Sequence, residues 1–382
     1  GSGPGAYRAD IGIEGDRITA IGRLGARGRQ EIDADGLVVT PGFIDGHTHF
    51  DAQVFWDPSG ANSCWQGVTS VVMGNCGFTI APVHDDARAL VLRNLERAED
   101  IDATALAEGI DWTWQTFPEY LEALDRIPKS IHYAANIGHS ALRTWAMGER
   151  AFEKEADEDE LRRMRDQLRS ALLAGAIGFT TSRSEHHETS DDRPVASRIA
   201  SWEELHALVD VMSELGIGML EGGTEGFLSP DPDEQQTVFE HVRRIAVEQG
   251  VPITAGLIAT QEGGRAMLDR IDRIASEGGR MIGQSHCRGI SVLLGFRTRL
   301  PFDVLPEWIP FRAQPIEDQK RALSEPETRT RLAKAAMEGD YDRWRGIGAM
   351  PRKPDWDGIR VFDRGLPPWP SLREVATARG IS

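Results

Sequence analysis

The sequence of 382 residues is poor in cysteine, lacks long apolar runs and has a deficit of positive charge. Its three cysteines, Cys64, Cys76 and Cys287, cannot form a disulfide framework, so we expect a cytoplasmic protein. The apolar runs fall short of the roughly 20 residues that a membrane-spanning helix needs. The formal charge is -17, which argues against nucleic acid and anionic membranes as partners because their phosphates would be repelled.

What the sequence does contain is an ordinary globular composition and a short β-rich opening. Hydrophobic residues make up 40% and charged residues 27%, which is ordinary for a soluble globular enzyme, and the length of 382 residues suffices for one large domain with a small accessory one. Residues 8–22 predict a β-hairpin that turns at Gly15, and residues 29–40 predict a second short strand pair. We therefore assign residues 1–39 to a small β-layer.

From residue 40 onward, short apolar strands alternate with amphipathic helices that end at glycine, as in LRSALLAGAIGFTT at 168–181. This alternation predicts a parallel sheet with helices outside it. Strands are expected near 40–48, 69–75, 131–137, 176–181, 216–221, 252–257 and 280–285. Ser201 and Glu204 predict a capping box for the helix at 202–215.

The count of seven strands is one short of a TIM-like (β/α)8 barrel. The stretch at about 290–370 is rich in Pro, Trp and Arg and is interpreted as a long insertion of loops. Long loops of this kind in a compact domain are usually functional lids. The chain then closes with a capped helix at 371–380. We therefore expect residues 40–382 to form a barrel that is missing its last strand.

The strongest chemical signal is a His-x-His motif, His47 and His49, at the end of the first barrel strand. Side chains two residues apart on a strand share one face, so both imidazoles can point at one metal ion. Cys76 ends the next strand, and its thiolate would complete a set suited to Zn²⁺. The alternative for Cys76 is a small buried apolar residue, which is the usual role of a free cysteine.

Several motifs occur in the order found in one enzyme family. They are TPGFIDGHTHFDAQ at 40–53, GNCGF at 74–78, DWTWQTFPEYLEAL at 111–124, NIGHSALRTWAMGERA at 136–151 and GAIGFTTSR at 175–183. With these motifs the sequence resembles the N-acyl-D-amino-acid deacylases, or D-aminoacylases, of the metal-dependent amidohydrolase superfamily. The resemblance runs along most of the chain and is most specific in the first half.

The resemblance implies a barrel with a small β-sandwich built from both chain ends, of which residues 1–39 would be one part. It implies one or two zinc ions held by the paired histidines and by a cysteine where related enzymes use a carboxylated lysine. It also implies a late aspartate on the eighth strand as the general base. Family members extend further at both ends, so we interpret the sequence as a fragment truncated at both ends.

The remaining catalytic and metal candidates follow later strands. The histidines that the family carries on strands five and six have no counterpart, but Glu221 occupies the nearest position on strand five and could replace one. His139 ends the third strand, and we assign it with Glu221 to the catalytic set. His286 ends the seventh strand and is a further candidate ligand. The alternatives are a packed histidine and a solvated carboxylate.

Three residues are candidates for binding substrate. Arg183 and Arg288 could hold a carboxylate, because a guanidinium binds that group with two parallel hydrogen bonds. His187 lies in a polar loop after the fourth strand. Surface arginine and solvated loop histidine are the alternatives.

The function expected from these features is zinc-dependent hydrolysis of the amide bond of a small N-acyl-D-amino acid or similar N-acyl compound. Cyclic-amide hydrolysis, as in dihydroorotases and hydantoinases, is an alternative, although those enzymes carry a lysine on strand four that AIGFTTSR at 176–183 does not offer. A non-catalytic or inactive metal-binding fragment is a second alternative. The acyl group, the D or L selectivity and the oligomeric state are left open.

Overall fold

The computed structural model describes residues 5–96, 103–191, 193–257, 261–287, 292, 294–341, 350–362, 365 and 368–381. The chain divides into two compact units, Gly1–Phe43 and Ile44–Ser382. None of the helices in the described residues is both long and apolar enough to cross a membrane.

The first unit contains an antiparallel hairpin of β1 (Asp10–Glu14) and β2 (Arg17–Gly22). Gly15 has a φ of 63° in the turn, a left-handed conformation that glycine adopts without steric cost. The second strand pair expected over 29–40 is not formed: these residues, all of them described, have no strand, and their apolar side chains are exposed. The prediction for 29–40 was wrong because an alternating pattern makes a strand only where a partner strand is present.

The larger unit is built around short strands, and each described strand pairing from Val68 onward is parallel. The strands are β3 (Phe43–Asp45), β4 (Val68–Met73), β5 (His132–Ala135), β6 (Ile137–Gly138), β7 (Gly178–Thr180), β8 (Met219–Glu221), β9 (Ile253–Gly256) and β10 (Met281–Gln284). One sheet has the order β3-β4-β5 and the other β6-β7-β8-β9-β10. β5 and β6 are separated by Asn136 alone, so these strands occupy the seven positions that the sequence predicts. Closure into a barrel and the lack of an eighth strand stay predictions.

Helices follow the strands in the order expected of βα units. They are α1 (Ala61–Cys64), α2 (Arg88–Glu96), α3 (Ala103–Gly109), α4 (Phe117–Arg126), α5 (His139–Met147), α6 (Glu158–Ala174), α7 (Trp202–Leu215), α8 (Pro232–Arg243, continued by a π-helical turn Arg244–Glu248), α9 (Gln261–Ser276), α10 (Ile309–Arg312), α11 (Ile316–Ser324), α12 (Pro326–Glu338) and α13 (Leu372–Ala378). In α6 the side chains of Met164, Leu168 and Leu172 are buried at a spacing of four residues, which places one apolar stripe against the core.

The segment at about 290–370 was interpreted as loops, but its described residues include α10, α11 and α12. These helices and their neighbours bury a separate small apolar cluster of Leu305, Trp308, Phe311, Leu332, Ala336 and Tyr341. Proline at the start of α10 and of α12 provides a helix-compatible backbone angle where no amide donor is needed. Two of the prolines that suggested loops therefore lie at helix starts.

Candidate metal centre

His47 and His49 are positioned by the residue between them. The buried Thr48 donates both its backbone N–H (2.9 Å) and its hydroxyl (2.8 Å) to the carbonyl oxygen of Val72 on β4. Because Thr48 is fixed to β4, its two neighbours project away from that contact, and their ring centroids lie 5.3 Å apart. The sheet therefore presents both imidazoles side by side.

Cys76 lies in a tight turn after β4. Its φ of 56° is left-handed, which is uncommon for a residue other than glycine and costs about 1–3 kcal/mol. Three side chains from other segments accept hydrogen bonds from the backbone of this turn. They are Asp51 (from Gly74, 2.9 Å), Glu221 (from Cys76, 2.7 Å) and Thr180 (from Gly77, 3.0 Å). These contacts hold the turn in the conformation that presents the thiol.

The donor atoms of His47, His49 and Cys76 all lie within 4.8 Å of one another, and we call these three residues the metal cluster. The Cys76 Sγ atom is 3.3 Å from His47 Nε2. Two imidazole nitrogens and one sulfur are the donors that zinc takes in proteins. The residues present therefore fit the metal ion that the sequence predicts.

The imidazoles of the metal cluster are in the form that binds metal. Burial lowers the pKa of His47, and burial together with the nearby His47 and His187 lowers the pKa of His49 to about 3. Both rings are therefore neutral at pH 7. A neutral imidazole has a lone pair to donate, so a metal ion would not have to displace a proton from either ring.

Glu221 lies beside the metal cluster but outside it. One carboxyl oxygen accepts the Cys76 N–H, and the other lies 3.6 Å from His47 Nδ1, the ring nitrogen that does not face Cys76. Burial raises the pKa of Glu221 to about 8 despite the hydrogen bond from Cys76. Its contacts therefore connect it to Cys76 and His47, and the catalytic role expected of it stays a prediction.

His139 lies in a separate group that we call the buried histidine cluster, with Thr181, Glu204 and Arg143. Its ring is fully buried, Nδ1 pairs with the Thr181 hydroxyl (2.9 Å), and Nε2 pairs with Glu204 (2.8 Å). The Glu204 carboxylate also accepts from the fully buried Arg143 guanidinium. Both nitrogens of His139 are thus used within the fold, a pattern that favours a structural position, and the catalytic role expected of this residue stays a prediction.

Of the three remaining described candidates, His187 and His286 are near enough to the metal cluster to influence the pKa of its histidines, whereas Arg183 acts on that of His139. His187 pairs with the Ser182 hydroxyl (2.7 Å) and packs on Phe78. The Arg183 guanidinium donates to the carbonyl oxygen of Ala200 (3.0 Å) and lies 4.5 Å from the centre of a Trp ring. His286 is exposed after β10, close enough for its charge to lower the pKa of His47, but it is not among the three donors. Arg288 lies outside the described residues.

Two polar residues of the site were not identified from the sequence. Asp51 is buried, and burial raises its pKa to about 7. Gln284, the last residue of β10, places its side-chain oxygen 3.1 Å from His47 Nδ1. Their position in the sequence could have identified them: Asp51 is two residues after His49, and Gln284 is a polar residue at the end of an apolar strand.

Comparison with known proteins gives one family and several relatives. Residues 30–255 match the amidohydrolase family. A D-aminoacylase from Alcaligenes xylosoxydans xylosoxydans is 38% identical over 182 residues, which is 47% of this chain and 35% of the relative. The chain therefore spans about a third of the length of that curated relative.

Solved structures of the same family are also similar to this chain. A D-aminoacylase described as having a binuclear metal centre, with activation by one metal and attenuation by the second, superposes with a TM-score of 0.59 at 29% identity over 73% of this chain and 54% of that one. An N-acyl-D-glutamate deacylase from Bordetella bronchiseptica, in complex with zinc and a phosphonate mimic of the tetrahedral intermediate, gives 0.58 at 30% identity over 74% and 55%. The larger unit therefore has an α/β fold of the TIM-barrel type.

Proposed function

The chain belongs to the amidohydrolase family, and from that membership we propose that it is a zinc-dependent hydrolase of the amide bond in N-acyl-D-amino acids. The single observation that carries this proposal is the convergence of His47, His49 and Cys76 within 4.8 Å of one another. The deacylases among the relatives support the class of substrate, which is a small molecule. We propose a cytoplasmic location on the low cysteine content.

Each residue of the metal cluster would provide one donor atom. Zinc at this point would polarise the amide carbonyl and make a water molecule acidic enough to attack at neutral pH. The rings of His47 and His49 are neutral at pH 7, so each can donate a nitrogen lone pair to a metal ion without first losing a proton. Glu221 holds the Cys76 backbone and keeps the thiol turned toward His47. We expect one or two ions per chain, counted by elemental analysis of the reloaded protein.

Substrate recognition is assigned to the segment after β7. Arg183 and His187 both lie there, and His187 is close enough to His49 to lower its pKa. An N-acyl amino acid carries a carboxylate, which a guanidinium binds with charge-assisted hydrogen bonds. We propose that Arg183 holds this carboxylate while His187 lines the space next to His49.

The test combines zinc content with hydrolysis of matched N-acetyl-D- and N-acetyl-L-amino acids. The protein is stripped with a chelator and reloaded, and Cys76→Ala is compared with Cys64→Ala. Cys64 is a half-buried free cysteine outside the metal cluster, so it controls for loss of a thiol. We expect zinc-dependent turnover of the D-compound that Cys76→Ala abolishes and Cys64→Ala leaves unchanged.

Three results would contradict the proposal. Turnover that survives in Cys76→Ala would remove the metal cluster from the reaction. Bound zinc with no turnover would support a metal-binding scaffold instead. Hydrolysis of a hydantoin or dihydroorotate in preference to the acylated amino acid would favour a cyclic-amide hydrolase.

A further inference from the structure

The side chain of Gln284 joins the end of β10 to the histidine pair that follows β3. Its Oε1 atom lies 3.1 Å from His47 Nδ1, and its Nε2 atom lies 3.5 Å from the carbonyl oxygen of Gly46. The Glu221 carboxyl is also near Nδ1, but at 3.6 Å it lies farther from this nitrogen than the Gln284 oxygen does. Gln284 is therefore the hydrogen-bond partner of this ring nitrogen.

The two contacts of Gln284 determine which way its amide group faces. A backbone carbonyl oxygen can only accept a hydrogen bond, so the NH₂ end of the amide must be the end at Gly46. The oxygen end then faces His47, and because it too can only accept, Nδ1 of His47 must carry the proton. In a neutral imidazole the other nitrogen, Nε2, then holds the lone pair.

We propose that Gln284 is a positioning residue that fixes His47 as the Nδ1-protonated tautomer, so that the Nε2 lone pair faces Cys76 Sγ, 3.3 Å away. This inference rests on the proposed metal site and concerns how that site is kept ready for the ion. Ligating histidines generally donate their second ring N–H to a partner, which orients the ring and fixes the tautomer. Here the partner comes from a strand 237 residues further along the chain.

A second Gln–His pair in the same chain provides a matched control. Gln249 places its oxygen 2.9 Å from His206 Nδ1, and its NH₂ group donates to the carbonyl oxygen of His206. The other nitrogen of His206 pairs with His241 at 3.0 Å, so its lone pair or proton is used by a second imidazole. The same type of hydrogen bond thus exists outside the metal cluster, where its loss should not change the affinity for a metal ion.

The first measurement is made on the metal-free wild-type protein, and a variant is used only to assign its signals. The protein is labelled with ¹⁵N-histidine, and the His47 signals are assigned by their loss in His47→Gln. We expect the nitrogen shifts of His47 to report a proton on Nδ1. A proton on Nε2, or a mixture of both tautomers, would overturn the proposal.

The second measurement is metal affinity, by competition of Zn²⁺ with a chelator and by the thiolate-to-metal absorption of the Co²⁺ form. Gln284→Met keeps the size of the side chain but loses the acceptor, and we expect about 10–100-fold weaker binding. Gln284→Glu keeps an acceptor and should restore the affinity to within a few-fold of wild type. Gln249→Met should bind like wild type.

Wild-type affinity in Gln284→Met, or an equal loss in Gln249→Met, would contradict the role of Gln284. These readouts do not depend on substrate. If the tautomer and affinity results are as expected but no substrate is hydrolysed, the role of Gln284 is supported and the proposed function is contradicted. If the protein hydrolyses substrate but Gln284→Met binds metal as tightly as wild type, the proposed function stands and the role of Gln284 is contradicted.

Discussion

The metal cluster and the buried histidine cluster look alike in the sequence and differ in the structure. Each contains a histidine at the end of a barrel strand, His47 after β3 and His139 after β6. In the metal cluster the donor atoms of three residues face one another. In the buried histidine cluster both ring nitrogens of His139 face protein partners, and Glu204 is bonded to two of its neighbours.

The difference shows what makes a polar group at a strand end available for chemistry. Burial lowers the pKa of histidine in both clusters, so neutral imidazole is common to them. They differ in where the second nitrogen is directed. His47 uses one nitrogen for Gln284 and turns the other toward Cys76, whereas His139 has none left. Availability for a metal ion thus depends on the pattern of hydrogen bonds and not on burial.

The largest effect is expected from breaking the buried histidine cluster with Glu204→Leu. Arg143 is fully buried and would lose its carboxylate partner, so an uncompensated charge would remain inside the fold. We expect the free energy of unfolding to fall by about 3–5 kcal/mol, measured by urea denaturation. Glu214→Leu is the control on the same helix, because Glu214 pairs with Arg165 and Arg169 at the exposed surface.

The control variant should leave the free energy of unfolding nearly unchanged, since exposed ion pairs contribute little. Equal losses in Glu204→Leu and Glu214→Leu would show that the buried histidine cluster is no more important than a surface pair. That result would remove the contrast between a structural and a functional histidine.

A smaller effect is expected from Glu221, which supports the metal cluster from outside. Glu221→Ala leaves the Cys76 N–H without its acceptor and should lower the free energy of unfolding of the metal-free protein by about 1–3 kcal/mol. Zinc affinity should fall about 10–100-fold in the same variant. Glu221→Gln keeps an acceptor oxygen and should lie close to wild type in both measurements. If the two variants behave alike, the hydrogen bond to Cys76 is not the cause.

The positions of the strands could be predicted because each apolar run is bounded by glycine and follows a helix pattern. The strand expected at 176–181, for example, contains β7 at Gly178–Thr180. The proximity of His47, His49 and Cys76 follows from the same reasoning, since the ends of neighbouring parallel strands meet at one edge. The metal role of these residues and the domain boundary at residue 39 stay predictions.

Side-chain pairing between distant segments could not be predicted. Ser201 and Glu204 were expected to form a capping box, but only half of it forms: Ser201 accepts the Glu204 N–H, while the Glu204 carboxylate turns to His139 and Arg143. His139 lies 65 residues from Glu204, and nothing in a local pattern connects them. The structural position of His139 therefore becomes visible only once α5 and α7 are packed together.

The smallest effect is the pH dependence of the buried histidine cluster. Burial opposes the charge on Glu204, but the hydrogen bond from the neutral His139 ring and the hydrogen bond and charge of Arg143 outweigh it and lower its pKa to about 2, against 4.5 ordinarily. As the pH falls, the unfolded chain takes up a proton at this carboxyl first. The stability that Glu204 contributes is therefore complete above pH 4.5 and is lost progressively toward pH 2.

By pH 4 this loss should reach about 1 kcal/mol. Other carboxylates also titrate in this range, so the quantity to measure is the difference in free energy of unfolding between wild type and Glu204→Gln, at pH 7 and at pH 4. Because the variant has no carboxyl at this position, the difference should shrink by about that amount on acidification. A difference that stays constant or grows would mean that Glu204 is not held ionised by His139 and Arg143, and the buried histidine cluster would then lack the charge that distinguishes it from the metal cluster.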